Sequence, residues 1–311
     1  MNGILNIYKE AGYTSFDVVA KLRGILREKK IGHTGTLDPA ATGVLPVCIG
    51  NATKVCSLLT DKDKEYEAVL QLGLTTDTQD ATGQILNDRR NQLDTLTEVR
   101  VREVIMNFVG DYEQIPPMYS ALKVGGKKLC DLAREGIEVE RKARRVHIYD
   151  IEIIKMQLPF VTMRVHCSKG TYIRTLCDDI GAILGVGGLM KSLVRTRVSS
   201  FSIERALTLA QVEEYRDKGT LKEIILPVDE VFSEVPALHV TEQARKKLQN
   251  GNRLAAFDFA EADRLTEDGM SQTVGKEEKK FRVYDTAGKF FGVYGWDDQR
   301  KDFKSIKMFF D

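Results

Sequence analysis

Ile31-Gly32-His33-Thr34-Gly35-Thr36-Leu37-Asp38-Pro39-Ala40-Ala41-Thr42-Gly43 holds too many turn residues for a helix or strand and too many reactive ones for a plain linker. Its three glycines permit backbone dihedrals closed to other residues and close approach to a ligand. Its one carboxylate, Asp38, precedes Pro39, and a residue before proline is biased towards extended backbone, so Asp38 is presented from a fixed loop. An Asp-Pro pair is also an ordinary surface turn, and the rest of the chain has to decide between the two.

Upstream, residues 3–9 read as a short strand closed by Ala11-Gly12. Thr14-Ser15-Phe16-Asp17 spells a capping box, and Val18, Val19, Leu22, Ile25 and Leu26 recur at helical spacing. Downstream, residues 44–50 form an apolar run, and Ala52 to Leu59 continue as a helix. Residues 64–72 alternate as a strand with Tyr66, Ala68, Leu70 and Leu72 on one face, which places an aromatic ring at the strand's start. Residues 73–83 read as a polar loop with acids too sparse for a calcium-binding EF-hand. Leu96-Thr97 with Val101 opens a capped and stapled helix expected to run through Ile105 and Phe108 to Gly110.

A long excursion follows, rich in proline and glycine and then in charge. Residues 123–145 carry eight Lys or Arg against four Asp or Glu, although the whole chain has a formal net charge of only +1. Such a run is either a solvated face or a grip on phosphates. Residues 146–154 and 161–167 alternate as neighbouring strands, and the second runs into Ser168-Lys169-Gly170-Thr171-Tyr172-Ile173-Arg174, a strand-to-helix junction suited to an anion or a base. Lys191-Ser192 lacks the preceding glycine of a Walker loop, which excludes that route to nucleotide hydrolysis. Residues 193–198 read as a strand with Arg195 and Arg197 on one face. Thr208 to Gln211 is a second capping box, Pro227 and Pro236 bracket a thin linker, and the tail reads as a helix over 241–248 followed by strand, turn and strand over 281–296.

Composition narrows the function. Five cysteines without a Cys-x-x-Cys pair and four scattered histidines suggest neither disulfides nor a zinc site. The chain lacks an apolar run of about eighteen residues and an N-terminal signal pattern, so it is expected to be cytoplasmic. One presented carboxylate among basic and aromatic residues suits nucleophilic or general-base work on a base or sugar. Glycoside hydrolysis normally needs two carboxylates, and no second acid is as well placed.

The order of blocks then resembles a known family. Gly32-His33-Thr34-Gly35-Thr36-Leu37-Asp38-Pro39-Ala40-Ala41-Thr42-Gly43-Val44-Leu45 is similar to the signature of the bacterial tRNA pseudouridine-55 synthases, the TruB family. Lys64-Glu65-Tyr66, the 73–83 loop, the run from Pro116 to Lys123, the 168–174 junction and the run from Leu189 to Phe201 follow in the family's order, over residues 3 to 205. The resemblance implies an α+β pseudouridine synthase fold, with a mixed, largely antiparallel central sheet flanked by helices and loops, plus a small, mostly β, PUA-like C-terminal domain. It implies a catalytic domain over residues 1–235, with an RNA-gripping insertion over about 118–146, and an RNA-binding domain over 236–311. The implied activity is isomerisation of the T-loop uridine of tRNA to pseudouridine by base flipping, without cofactor or metal.

Asp38 matches the family nucleophile, and attack on the base or on the sugar stays open. Arg174 matches the arginine that pairs with it and would keep it ionised by charge attraction. Tyr66 matches the tyrosine that stacks on the flipped base and assists proton removal at C5. His33 matches the histidine near the place the base vacates, and Tyr172 and Leu193 match pocket-lining residues. The bacterial form of the signature implies a stand-alone monomer that takes the T-stem-loop with no protein partner, guide RNA or membrane. Glu10, Val194 and Val198-Ser199-Ser200 depart from the family pattern, and the tail matches it only loosely. The competing class is a non-catalytic tRNA-binding or RNA-folding protein of the same fold, against which an intact Asp38, Tyr66 and Arg174 argue. A base-excising glycosidase stands third.

Overall fold

The computed structural model describes residues 1–262, 265 and 279–309. Residues 263–264 and 266–278 of the expected C-terminal domain, with 310–311, lie outside the described residues. In chain order the first elements are β1 (Gly3–Lys9), α1 (Ser15–Leu26), β2 (Ile31–His33), β3 (Thr42–Ile49), α2 (Cys56–Thr60), β4 (Lys64–Leu72), β5 (Leu74–Thr76), β6 (Ile85–Asp88) and α3 (Glu98–Met106). Next come β7 (Gly110–Gln114), β8 (Lys123–Val124), β9 (Lys127–Lys128), α4 (Leu129–Arg134), β10 (Arg144–Gln157), β11 (Phe160–Cys167), α5 (Ile173–Ile183), β12 (Gly188–Val198), β13 (Phe201–Ser202) and α6 (Leu209–Asp217). The tail holds β14 (Ala237–His239), α7 (Arg245–Gln249), β15 (Lys280–Tyr284), β16 (Phe290–Asp297) and β17 (Asp302–Met308).

Both capping boxes form as the sequence requires: Thr14 and Asp17 exchange hydrogen bonds at the start of α1, and Thr208 and Gln211 do so at α6. The apolar stripe of α1 then packs with Leu209 and Val212 of α6 on Leu5, Ile7, Leu45, Val47 and Ile49 of β1 and β3. The opposite face of β3 is buried too, with Val44 and Cys48 against Val198 and Phe201. A strand covered on both faces has no reason to alternate, which explains the unbroken apolar run there.

The central sheet runs β1-β3-β12-β4-β11-β10-β7, with β2 hydrogen-bonded to β3 and β13 to β12. Its pairs are antiparallel except β3 with β12, which meet in parallel where Thr42 and Gly43 face Val194 and Arg195. That junction needs a glycine. Gly43 has φ 108°, and a Cβ there would sit 2.2 Å from the Arg195 carbonyl oxygen. The mixed, largely antiparallel sheet is the one expected, and the alternation of β4 buries Lys64, Tyr66, Ala68, Leu70 and Leu72. Those inward residues share a core with Val161, Met163 and Val165 of β11, Ile173, Leu176 and Ile180 of α5, and Val101, Val104 and Ile105 of α3.

Several expectations give way to tertiary pairing. The ends of the glycine-rich run are strands, because Ile31, Gly32 and His33 pair with Ile49, Cys48 and Val47, so only residues 34–41 form a loop. The 73–83 segment begins as β5, paired with β6. The helix from Thr97 ends at Met106, and Phe108 is buried in the turn beyond it. Arg195 and Arg197 do not share a face. A bulge between them sets Arg195 opposite Tyr66 but Arg197 opposite Glu65, so one points into the core and the other outward.

The tail forms a four-stranded sheet, β14-β15-β16-β17, whose last strand the sequence pattern did not announce. The helix expected over 241–248 is shorter and later, at Arg245–Gln249. The segment between Pro227 and Pro236 is more than a spacer: Phe232 packs with Phe290 and Phe309, and Asp229 accepts a hydrogen bond from the Tyr284 hydroxyl at 2.8 Å.

Candidate active site

Residues 34–41 are held from several sides. The Thr34 amide donates to the Pro46 carbonyl at 3.1 Å, and the Leu37 amide donates to the buried Ser15 hydroxyl at 3.0 Å. The Ala41 amide closes a turn on the Asp38 carbonyl at 3.1 Å. The Pro39 carbonyl accepts from the Gly12 amide at 2.9 Å and from Lys9 Nζ at 3.2 Å. Asp38 is thus fixed by its backbone while 38% of its side chain stays exposed.

Arg174 enters from α5. Gln114 of β7 clasps the residue that caps this helix, accepting from the Tyr172 amide at 2.8 Å and donating to the Tyr172 carbonyl at 2.9 Å. From that anchored turn the Arg174 guanidinium, 7% exposed, places Nε 3.0 Å from Asp38 Oδ2. Nη1 donates to the Thr78 carbonyl at 3.2 Å and lies 3.7 Å from Asp80 Oδ2, while Nη2 donates to the Tyr119 carbonyl at 2.8 Å. One guanidinium therefore gathers the 34–41 loop, the 77–83 loop and the root of the basic excursion.

Charge attraction does not act alone on the Asp38 carboxyl. Burial pushes its carboxyl above the ordinary carboxylate value of 3.8, and Arg174 opposes that push without cancelling it. Burial removes part of the water that would otherwise stabilise the carboxylate charge.

Tyr66 is buried in the same core as Leu37, Ala41 and Leu193. Burial pushes its phenol pKa up, and the charge of Arg195 opposes the rise. Tyr172 stands at the start of α5, partly exposed, with its phenol also raised by burial. His33 sits apart from the Asp38–Arg174 pair, at the end of β2, edge-on to Phe16 with ring centroids 5.5 Å apart. Burial holds its imidazole below 6.5, and its Nδ1 accepts from the Gly35 amide at 3.3 Å.

Three residues of this assembly escaped the sequence reading. Lys9, fully buried, donates to the carbonyls of Glu10, Tyr13 and Pro39, and burial lowers its pKa to about 8. Asp80 receives Thr78 and Thr82 and faces Arg174. Arg195, 1% exposed, donates to the Val44 carbonyl at 2.7 Å and to the carbonyls of Gly35 and Thr36 at 3.4 and 3.5 Å. A lysine within an apolar strand was the available signal for Lys9. Asp80 and Arg195 offered none beyond their loop and strand.

Of the eight cations in residues 123–145, Lys127, Arg134, Arg141 and Arg145 pair with Glu135, Asp131, Glu138 and Asp111. Among the described residues Lys123, Lys128, Lys142 and Arg144 form no ion pair and are exposed. No group of three His, Cys, Asp or Glu among the described residues is placed to hold a metal, and no described helix is long and apolar enough to cross a membrane.

This geometry can be set beside known proteins. Residues 23–173 match the model of the TruB family pseudouridylate synthase N-terminal domain, and residues 174–233 match that of the tRNA pseudouridylate synthase B C-terminal domain. The chain belongs to the TruB pseudouridylate synthase family. It is 52% identical to the tRNA pseudouridine synthase B of Lachnoclostridium phytofermentans, over 99% of this chain and 100% of that one. It is 44% identical to that of Alkaliphilus oremlandii, over 100% and 99%. Among solved structures, a chain of a Cbf5-Nop10-Gar1 complex is similar with a TM-score of 0.71 at 26% identity, covering 99% of this chain and 85% of that one. A chain of an H/ACA ribonucleoprotein bound to a substrate RNA containing 2'-deoxyuridine has the same fold, with a TM-score of 0.72 at 24% identity over 99% and 85%. The sheet and small β tail of this TruB member are thus those of pseudouridine synthases.

Proposed function

We propose that this chain is a tRNA pseudouridine synthase that flips the T-loop uridine at position 55 out of the stack and isomerises it on Asp38. The observation that carries this reading is the Asp38–Arg174 pair, a carboxylate fixed on a rigid loop with a buried guanidinium 3.0 Å away. In the proposed reaction the Asp38 carboxylate attacks the nucleotide and forms a C–O bond, the N1–C1' bond breaks, the uracil turns, C5 bonds to C1', the bond to Asp38 breaks and frees the carboxylate, and the C5 proton leaves as N1 gains one. Tyr66 stacks on the turned base and assists proton removal at its C5, while Leu193 and Tyr172 wall the pocket. Extruding a base costs a few kcal/mol of stacking, which apolar and aromatic walls offset. His33 stands by the place left empty.

In this reading residues 1–235 form the catalytic domain and residues 118–146 lie along the RNA, with Lys123, Lys128, Lys142 and Arg144 available to phosphates. Residues 236–311 form a PUA-like domain that extends the RNA contact. The full-length similarity to bacterial tRNA pseudouridine synthase B chains supports action on tRNA, and in this reading the chain works as a monomer in the cytoplasm without guide RNA or protein partner. The test is incubation with an unmodified T-stem-loop RNA, followed by nucleoside analysis, for wild type and Asp38→Asn. Pseudouridine from wild type alone is the expected result. Release of free uracil would mean a glycosidase, and binding without product from wild type would mean an RNA-binding protein.

A further inference from the structure

Beside the catalytic pocket, a groove of about 540 Å³ opens between the start of α1 and β2, lined among others by Phe16, Arg23, Lys29, Lys30 and His33. It is large enough for a nucleoside. Phe16 is 70% exposed at its lip, which is unusual for so large an apolar ring and leaves one face open beside the His33 edge. The cations of the groove are not spent on carboxylates. Arg23 and Lys29 form no ion pair among the described residues, and Lys30 donates to the Asn51 side chain at 3.1 Å. Glu28, the acid next to Lys29, is taken by the N-terminal amine at 3.6 Å and the Lys30 amide at 3.0 Å, and Asp17, next to Phe16, is taken by the Thr14 amide at 2.8 Å. Gly32 keeps the floor low, because a Cβ there would lie 3.2 Å from Cys56 Sγ.

We infer that this groove is a second nucleotide subsite, in which Phe16 stacks on the base of an unpaired RNA nucleotide neighbouring the target while Arg23, Lys29 and Lys30 hold its phosphates. The inference rests on the RNA-modifying function proposed above and names how the same site holds the rest of its loop. An open aromatic face beside unpaired cations is the chemistry that binds single-stranded nucleic acid. A histidine whose Nδ1 already accepts a hydrogen bond carries its proton on Nε2, which suits it to border a base as a neutral ring.

The experiment is a binding cycle between Phe16→Ala and a set of T-stem-loop RNAs, each carrying one abasic residue at a loop position other than the target. Phe16→Ala is expected to weaken binding of intact RNA about tenfold, in the range of one lost base stack. At one loop position the abasic RNA should bind wild type and Phe16→Ala equally. Phe16→Trp should restore the intact-RNA affinity, and Arg23→Glu with Lys29→Glu should weaken every RNA in the set. Unchanged affinity for Phe16→Ala, or additive losses at every loop position, would overturn the subsite. Product formation by wild type on the same intact RNA is scored separately, so a failure of the catalytic reading and a failure of the subsite give different results.

Discussion

Arg174 and Asp38 are joined at 3.0 Å across 136 residues of sequence, with the arginine almost wholly buried and the aspartate partly exposed. The asymmetry separates holding from reacting. The guanidinium is fixed by the carbonyls of Thr78 and Tyr119 and by Asp80, so it orients the carboxylate without reaching into solvent.

Lysine cannot reproduce that planar set of donors. Arg174→Lys is therefore expected to lower kcat at least about 100-fold while changing RNA affinity far less, as expected when positioning of the reacting groups is lost. Single-turnover product formation and RNA binding, measured on the same preparation, check this split.

The pH dependence follows from the burial of Asp38. Its pKa is raised above 3.8, and under the proposed role of Asp38 the ionised form reacts, so activity is expected to fall as pH drops through that raised value. Arg174→Met removes the group that opposes the rise, and the acidic limb of the kcat profile is expected to move to higher pH. A limb that stays in place would show that another group limits the rate on the acid side.

Lys9 gives a second pH effect, of the same origin in burial but with the pKa shifted the opposite way. Its folded pKa is about 8 against 10.5 for a free lysine, so between those values the unfolded chain binds more protons than the folded one. Stability from this group therefore rises with pH across that window. The difference in Tm between wild type and Lys9→Met should shift in favour of wild type from pH 8 to pH 10. A constant difference would place the Lys9 titration elsewhere.

Gly43 tests the strand junction. Alanine there would carry a positive φ and bring its Cβ 2.2 Å from the Arg195 carbonyl oxygen, whereas at Gly12 an added Cβ meets nothing within 4 Å. Gly43→Ala is expected to cost more than about 3 kcal/mol, at the severe end for a point mutation, and Gly12→Ala about 1 kcal/mol from its positive φ alone. Chemical denaturation of the two variants provides the comparison.

Local chemistry was legible wherever the cause was local. The Thr14–Asp17 and Thr208–Gln211 capping boxes, the alternation around Tyr66, the antiparallel β10 and β11 and the turn between β15 and β16 all form as their residues dictate. What was missed arises from partners far away in sequence. Arg195 and Arg197 are two apart in a strand, and only the bulge against β4 turns them to opposite sides. β17 lacks clean alternation and is a strand because β16 offers it a hydrogen-bonding edge.

The sequence by itself determined that the 31–43 run would present one carboxylate from a fixed loop, because glycine, proline and the Asp-Pro restriction act within a few bonds, although its ends prove to be strands. Tertiary structure alone decided what that carboxylate meets. The parallel contact of β3 with β12 brings the loop beside Tyr66 and Leu193, and the Gln114 clasp on α5 sets Arg174 against Asp38. The balance of burial over attraction at Asp38 exists only once those separate segments exclude water together.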